Sequence, residues 1–185
     1  MKPILYSLLL VALVFVEDVR ASSLPEGWRF TGSDQQLYKV GIDQQQGKPA
    51  PSAYLFAQEG TNSEQFGTIS QRFNPQKYLG KRVRLSAWVK TTNVEGWAGL
   101  WMRIDTQTFK GLTFDNMKNR PIVGSNDWKK YSIVLDVDSR ATALLFGVFM
   151  SGKGKLWVDD FKFEVVDSKV PLTKANLTKP QNTNF

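Results

Sequence analysis

Neither cysteine nor histidine occurs anywhere in the 185 residues. Without cysteine there are no disulfides, no thiolate nucleophile and no lipid-modified thiol, and without histidine there is no Ser-His-Asp triad. Losing both removes the common zinc sites. Long apolar runs are scarce too: Ile4–Val16 is too short to span a bilayer comfortably, and no extended helical periodicity follows it. No long Lys/Arg run and no nucleic-acid motif is present, although the net charge is +7, so no specific nucleic-acid partner is expected. The Gly152–Lys155 stretch, GKGK, lacks the spacing of a phosphate-binding loop and reads as a turn. Carboxylate pairs such as Asp105 with Asp115, or Glu64 with Asp136, leave glycoside hydrolysis open by composition, but nothing in the sequence sets either pair across a cleft, and no catalytic residues are assigned.

What is present begins with a leader. Met1-Lys2 gives a positive start, the apolar run follows, and Val19-Arg20-Ala21 has small residues where a signal peptidase reads. Residues 1–21 are therefore expected to be a cleaved signal peptide, giving a secreted or periplasmic chain with no transmembrane segment after processing. The leader carries Lys2 and Arg20 but also Glu17 and Asp18, so removing it keeps the charge at +7. Residues 22–167 read as one domain of roughly 145 residues, long enough to bury a sufficient core without disulfide staples. Residues 168–185 hold Pro171, Pro180 and polar residues without apolar periodicity, and are expected to form a disordered basic tail.

Short alternating or apolar runs separated by Gly, Asn, Asp and Ser predict strands over Trp28–Thr31, Tyr38–Asp43, Ala53–Gln58, Gly67–Phe73, Arg82–Thr91, Trp97–Asp105, Tyr131–Asp136, Ala143–Met150 and Lys155–Val165. A short helical turn is expected in Asn74–Leu79. Such a pattern describes an all-β chain, two antiparallel sheets packed as a β-sandwich of the jelly-roll kind.

Alternation also assigns faces. Val83, Leu85, Ala87 and Val89 form one apolar row, leaving Arg84 and Trp88 opposite; Ala98, Leu100, Met102 and Ile104 form another, leaving Trp97, Trp101, Arg103 and Asp105 opposite. With Thr92–Gly96 as a turn between neighbouring strands, Trp88 and Trp101 are expected on one surface. Flat indoles stack on the C–H faces of sugars while Arg and Asp bond their hydroxyl rims, so Trp88, Trp101, Arg103, Asp105 and Arg84 are the candidate ligand-binding residues. The alternative is a structural role under the 109–126 loop. Trp97 reads as an edge or turn residue, Trp128 and Trp157 as core or corner residues, and Trp28 as a tether for the N-terminus.

Several pieces carry a family resemblance: Gln71, Gly80-Lys81-Arg82-Val83-Arg84-Leu85, Trp101-Met102-Arg103, Phe114-Asp115-Asn116-Met117, Arg120-Pro121-Ile122, Asp127-Trp128, and Gly147 through Trp157-Val158-Asp159-Asp160. The chain resembles galactose-binding-like jelly-roll domains of the carbohydrate-binding-module type, found in bacterial secreted proteins and fused to regulators, peptidases and esterases. The resemblance implies a noncatalytic binding protein for a glycan or other polar polymer. The alternative is a protein-interaction domain, an envelope assembly or inhibitory subunit, using the same face. Similar positions to Asp159-Asp160 supply an oxygen ligand to a structural calcium in several such jelly rolls. No other cofactor is expected, and the competing reading has one of these aspartates accept hydrogen bonds from the Ser151–Lys155 turn.

Overall fold

The structure, a computed structural model, describes residues 24–173. The expected leader, 1–21, and residues 174–185 of the expected tail lie outside the described residues. Among those described, the strands are β1 Arg29–Gly32, β2 Tyr38–Asp43, β3 Ser52–Ala57, β4 Phe66–Phe73, β5 Arg82–Thr106, β6 Thr113–Asp115, β7 Ile122–Asp136, β8 Ala141–Ser151 and β9 Lys155–Val166. Single 3₁₀ turns occupy Gln35–Leu37 and Gln76–Tyr78, the second inside the loop where a helical turn was expected. All pairings are antiparallel.

Strand β5 belongs to both layers of the sandwich. Its first half, through Thr92, pairs with β9 and β7, and β9 continues to β3 and β2; this is the first layer, β2-β3-β9-β5-β7. From Trp97 onward β5 pairs with β8 and β6, and β8 continues to β4 and β1; this is the second layer, β1-β4-β8-β5-β6. Between the halves the register with β7 shifts repeatedly, and Asn93 sits at φ 51°, a left-handed conformation that Asn tolerates. A Cβ at Gly96 would lie 2.2 Å from the Ser151 carbonyl oxygen, so only glycine lets β5 bend this close to β8.

The expected hairpin at Thr92–Gly96 is thus a bend in one continuous strand. Asn and Gly serve a turn and a bulge equally well, and local sequence does not separate them. A second difference lies in β7, which begins at Ile122 and replaces the expected loop with β6 and nine more strand residues. Among the described strands β7 pairs with β5 alone, so its solvated half needs no apolar alternation.

The apolar rows behave as the alternation predicts. Val83, Leu85, Ala87, Val89, Ala98, Leu100, Met102 and Ile104 are all at most 1% exposed and meet Leu55, Ile69, Leu144, Val148, Leu156 and Val158 between the layers. Burying each large aliphatic side chain contributes about 1.5–3 kcal/mol. Trp28 packs on Phe146 and Phe161 at 5.4 and 5.1 Å and ties the start of the described chain to this core.

The domain edge lies further along than Asp167. Arg82 donates through Nη1 to the carbonyls of Ser168 and Val170, and the Thr173 N–H donates to the Val134 carbonyl at 3.1 Å. Residues 168–173 therefore dock along β7 rather than belonging to a tail without contacts. Backbone groups supply these bonds, and they leave no mark in side-chain periodicity.

Candidate functional site

The outer face of the second layer carries an open cleft of about 490 Å³ lined by Glu64, Phe66, Thr68, Trp97, Trp101, Arg103, Phe114, Asn116, Phe149 and Ser151. Register explains this assembly. Phe66 and Trp97 both stand opposite Ser151, Thr68 and Gly99 opposite Phe149, Ser70 and Trp101 opposite Gly147, and Arg72 and Arg103 opposite Leu145. Gly147 has no side chain between Ser70 and Trp101, and a Cβ there would lie 2.1 Å from the Ile69 carbonyl oxygen. Over this bare position the indole Nε1–H of Trp101 donates to Thr68 Oγ1 at 2.8 Å, and the Thr68 hydroxyl donates in turn to the Val148 carbonyl at 2.9 Å. The indole is thereby fixed in orientation while its ring remains partly exposed. Trp97 meets Phe149 edge to face at 4.3 Å, and Phe114 stands 6.4 Å from Trp101.

Arg103 lines the cleft with Trp101, but Asp105 does not. Asp105 is buried; its carboxylate receives Arg103 Nε and Nη2, each at 2.9 Å, and the Gly111 N–H at 2.7 Å. It orients Arg103 and closes the 107–111 loop instead of facing the cleft. Arg103 Nη1 takes part in neither bond.

The cleft wall formed by Phe114 and Asn116 depends on the residue between them. Asp115 is buried and accepts from Arg120 Nη2 at 2.7 Å, Arg120 Nη1 at 3.1 Å, the Met117 N–H at 2.9 Å and Thr173 Oγ1 at 2.6 Å. Burial pushes its pKa up, yet the donors from Arg120, Thr173 and Met117 together outweigh it and hold Asp115 below the ordinary carboxylate value. At the other end of the cleft, the buried Tyr38 hydroxyl donates to the carbonyls of Gln65 and Gly152, pinning the turns beside Phe66 and Ser151; burial raises its pKa to about 12.

Trp88 and Arg84 are not part of this cleft. They point from the first half of β5 and so lie on the outer face of the other layer, which separates Trp88 from Trp101. Lys48 Nζ stands 5.4 Å from the center of the Trp88 ring, and Arg84 is 3.9 Å from Glu164. Trp157, expected in the core or at a corner, also lies on that outer face, with its Nε1–H donated to Asp43 at 2.8 Å. Conversely Trp97, expected at an edge, lines the cleft with Phe66, Phe114 and Phe149. Its position opposite Phe66 through Ser151 is a matter of register between distant strands.

Asp159 accepts from the Lys48 N–H at 2.6 Å and the Asp160 N–H at 2.7 Å, not from the 151–155 turn. Among the described residues, no group of three or more carboxylates gathers where a metal ion would sit. Of the carboxylate pairs left open by composition, Asp105 and Asp115 are each consumed by arginine and backbone donors, while Glu64 lines the cleft and Asp136 is bound to Arg82 at 2.7 Å in the other layer.

No family model matches the chain. It is 42% identical over 168 residues to the uncharacterized HTH-type transcriptional regulator YbfP of Bacillus subtilis (strain 168); the match covers 86% of this chain, which spans 56% of the regulator's length. Among the described residues there is no α-helix, so residues 24–173 hold nothing like a helix-turn-helix. Solved structures of similar fold include the CBM22-1 xylan-binding domain of Paenibacillus barcinonensis Xyn10C (TM-score 0.55, 15% identity, 80% of this chain and 91% of that one). TmCBM61 in complex with β-1,4-galactotriose gives a TM-score of 0.50 at 15% identity, over 76% and 90% of the two chains. The fold is that of the carbohydrate-binding modules. The enzymatically active domain of bacteriophage CBA120 tailspike protein 4 also shares it, at a TM-score of 0.59 and 13% identity, over 76% of this chain and 20% of that one.

Proposed function

We propose that this chain is a secreted, noncatalytic glycan-binding module and that the cleft around Trp97 and Trp101 is its sugar site. The observation carrying this reading is the pairing of a fixed, partly exposed indole with an oriented guanidinium: Trp101 is held by Thr68, and Arg103 is held by Asp105 with Nη1 left for a ligand. A sugar ring covering about 80 Å² of one indole face contributes about 2 kcal/mol before the costs of association. Several rings along one cleft therefore favor a polymer over a single sugar. The similarity in fold to xylan- and galactotriose-binding modules supports the ligand class, and the leader-like N-terminus supports secretion. The engagement of Asp105 and Asp115 by arginine supports a noncatalytic role.

A glycan array followed by affinity electrophoresis in xylan and β-1,4-galactan tests the proposal. Selective retention is expected, and Trp101→Ala should weaken it about tenfold, equivalent to about 1.4 kcal/mol. A blank array and unretarded migration, with one protein captured from the same extracellular fraction, would replace this reading with a protein-interaction domain.

A further inference from the structure

The outer face of the first layer presents rings and ammonium groups in alternation. Tyr54 on β3 stands opposite Trp157 on β9, and Trp157 opposite Lys90 on β5; one step along, Phe56 stands opposite Lys155. Strands lie about 4.8 Å apart, so ring follows ring and charge follows ring at roughly the scale of one sugar unit.

These lysines are held differently from the arginines that meet carboxylates closely. Lys155 Nζ sits 4.4 Å from the Trp157 ring center and 4.9 Å from that of Tyr54, while its nearest carboxylate, Asp43, is 4.0 Å away. Lys90 lies 5.9 Å from the Trp157 ring, donates to Gln46 Oε1 at 3.2 Å, and is 3.9 Å from Asp127, a highly exposed partner. Lys48 rests over Trp88. By contrast Arg82, Arg103, Arg120 and Arg140 meet their carboxylates at 2.7–2.9 Å. Two acids of the lysine face are already engaged by N–H donors: Asp43 by Trp157 and the Gln45 N–H, and Asp159 by Lys48 and Asp160 backbone N–H groups. The Trp157 bond chiefly holds Asp43 below its ordinary pKa, so it is charged and already accepting. The ammonium groups thus lie over rings, Lys90 also on a neutral amide oxygen, with little carboxylate compensation.

We propose that this face is a second binding site, separate from the cleft, for an acidic polysaccharide whose sugar rings carry carboxylates. The ligand's carboxylates take Lys90 and Lys155 from the rings, and its apolar C–H faces replace them over Trp157 and Tyr54. A polymer with charge but no rings satisfies only half of the pattern, and a neutral glycan only the other half.

Affinity electrophoresis of the full chain in polygalacturonate provides the test, with dextran, poly-L-glutamate, oligo-dT and phosphatidylglycerol vesicles as competitors. Retardation by polygalacturonate is expected, weakened by added salt and reduced about tenfold by Lys90→Gln combined with Lys155→Gln, substitutions that keep the stems and the fold as checked by thermal unfolding. Trp101→Ala should leave it unchanged, which separates this proposal from the cleft reading. Absence of retardation, indifference to the double substitution, loss through Trp101→Ala instead, or equal competition by poly-L-glutamate, oligo-dT or vesicles would each overturn it.

Discussion

The two outer faces of the sandwich are both rich in aromatic rings, yet they spend their charges in opposite ways. In the cleft Arg103 is locked into a bidentate pair with Asp105, Asp115 behind the cleft wall holds Arg120 in the same way, and the Trp101 ring is left partly exposed. On the other face Lys48, Lys90 and Lys155 lie over rings, and the ion pairs of Lys90 and Lys155 are at 3.9–4.0 Å, while tight pairs, Arg82 with Asp136 and Lys162 with Asp160, stand elsewhere in that layer. What a surface offers to a ligand is what the fold has not already used. The first face offers flat apolar area with a single oriented donor, the second offers positive charge that is easily drawn off a ring.

The largest test of this contrast removes the carboxylate under the cleft wall. Asp115→Ala removes the carboxylate that Arg120 and Thr173 share and should cost about 3 kcal/mol in urea unfolding at pH 7, the low end for a broken buried pair because Arg120 is partly exposed. Because the folded state lowers the pKa of Asp115, its stabilization is present in full above the ordinary carboxylate value of 3.8 and is lost as pH falls through the lower folded value. The gap between wild type and variant should therefore narrow on acidification. A gap independent of pH would mean that the carboxylate's charge contributes nothing.

Next in size is Thr173→Ala. It removes the hydroxyl that donates to Asp115 and that receives the Val134 N–H at 2.9 Å, and should cost about 1–2 kcal/mol by the same unfolding measurement. An unchanged midpoint would put the domain edge back at Asp167. The smallest effect is expected on the other face, where Lys155→Ala should alter stability by less than about 1 kcal/mol, since exposed cation–ring contacts and long ion pairs are weak. A larger loss would show that these lysines hold the layer together, and the contrast between the faces would fail.

Much of the architecture was legible in the residues, and the reason is local. Period-two alternation reports which side of a strand faces a core, and the eight residues it assigned inward on β5 are all buried. Alternation does not report which layer a strand belongs to. It placed Trp88 and Trp101 correctly on outward rows but set them on one surface, because a bulge at Asn93 that carries β5 between layers looks, residue by residue, like a hairpin turn. It found Arg103 and missed Trp97, Phe66 and Phe149 as cleft residues, since their meeting depends on the register of β4, β8 and β5, strands far apart in sequence. Parity alone makes Asp105 a ligand group, whereas in the folded chain it supports Arg103 and accepts from the Gly111 N–H.

The amino-acid sequence by itself determined the all-β class, the inward and outward rows, the absence of thiol and imidazole chemistry, and the excess of positive charge; each follows from composition or from neighbors two residues apart. Tertiary structure alone decided that the outward aromatics divide into two faces, that Asp115 and Thr173 join the cleft wall to the segment after β9, and that Lys48, Lys90 and Lys155 lie over rings while Arg103 is bound to Asp105. Those outcomes depend on pairings between residues tens of positions apart, whose energies exist only once both layers have closed on the core.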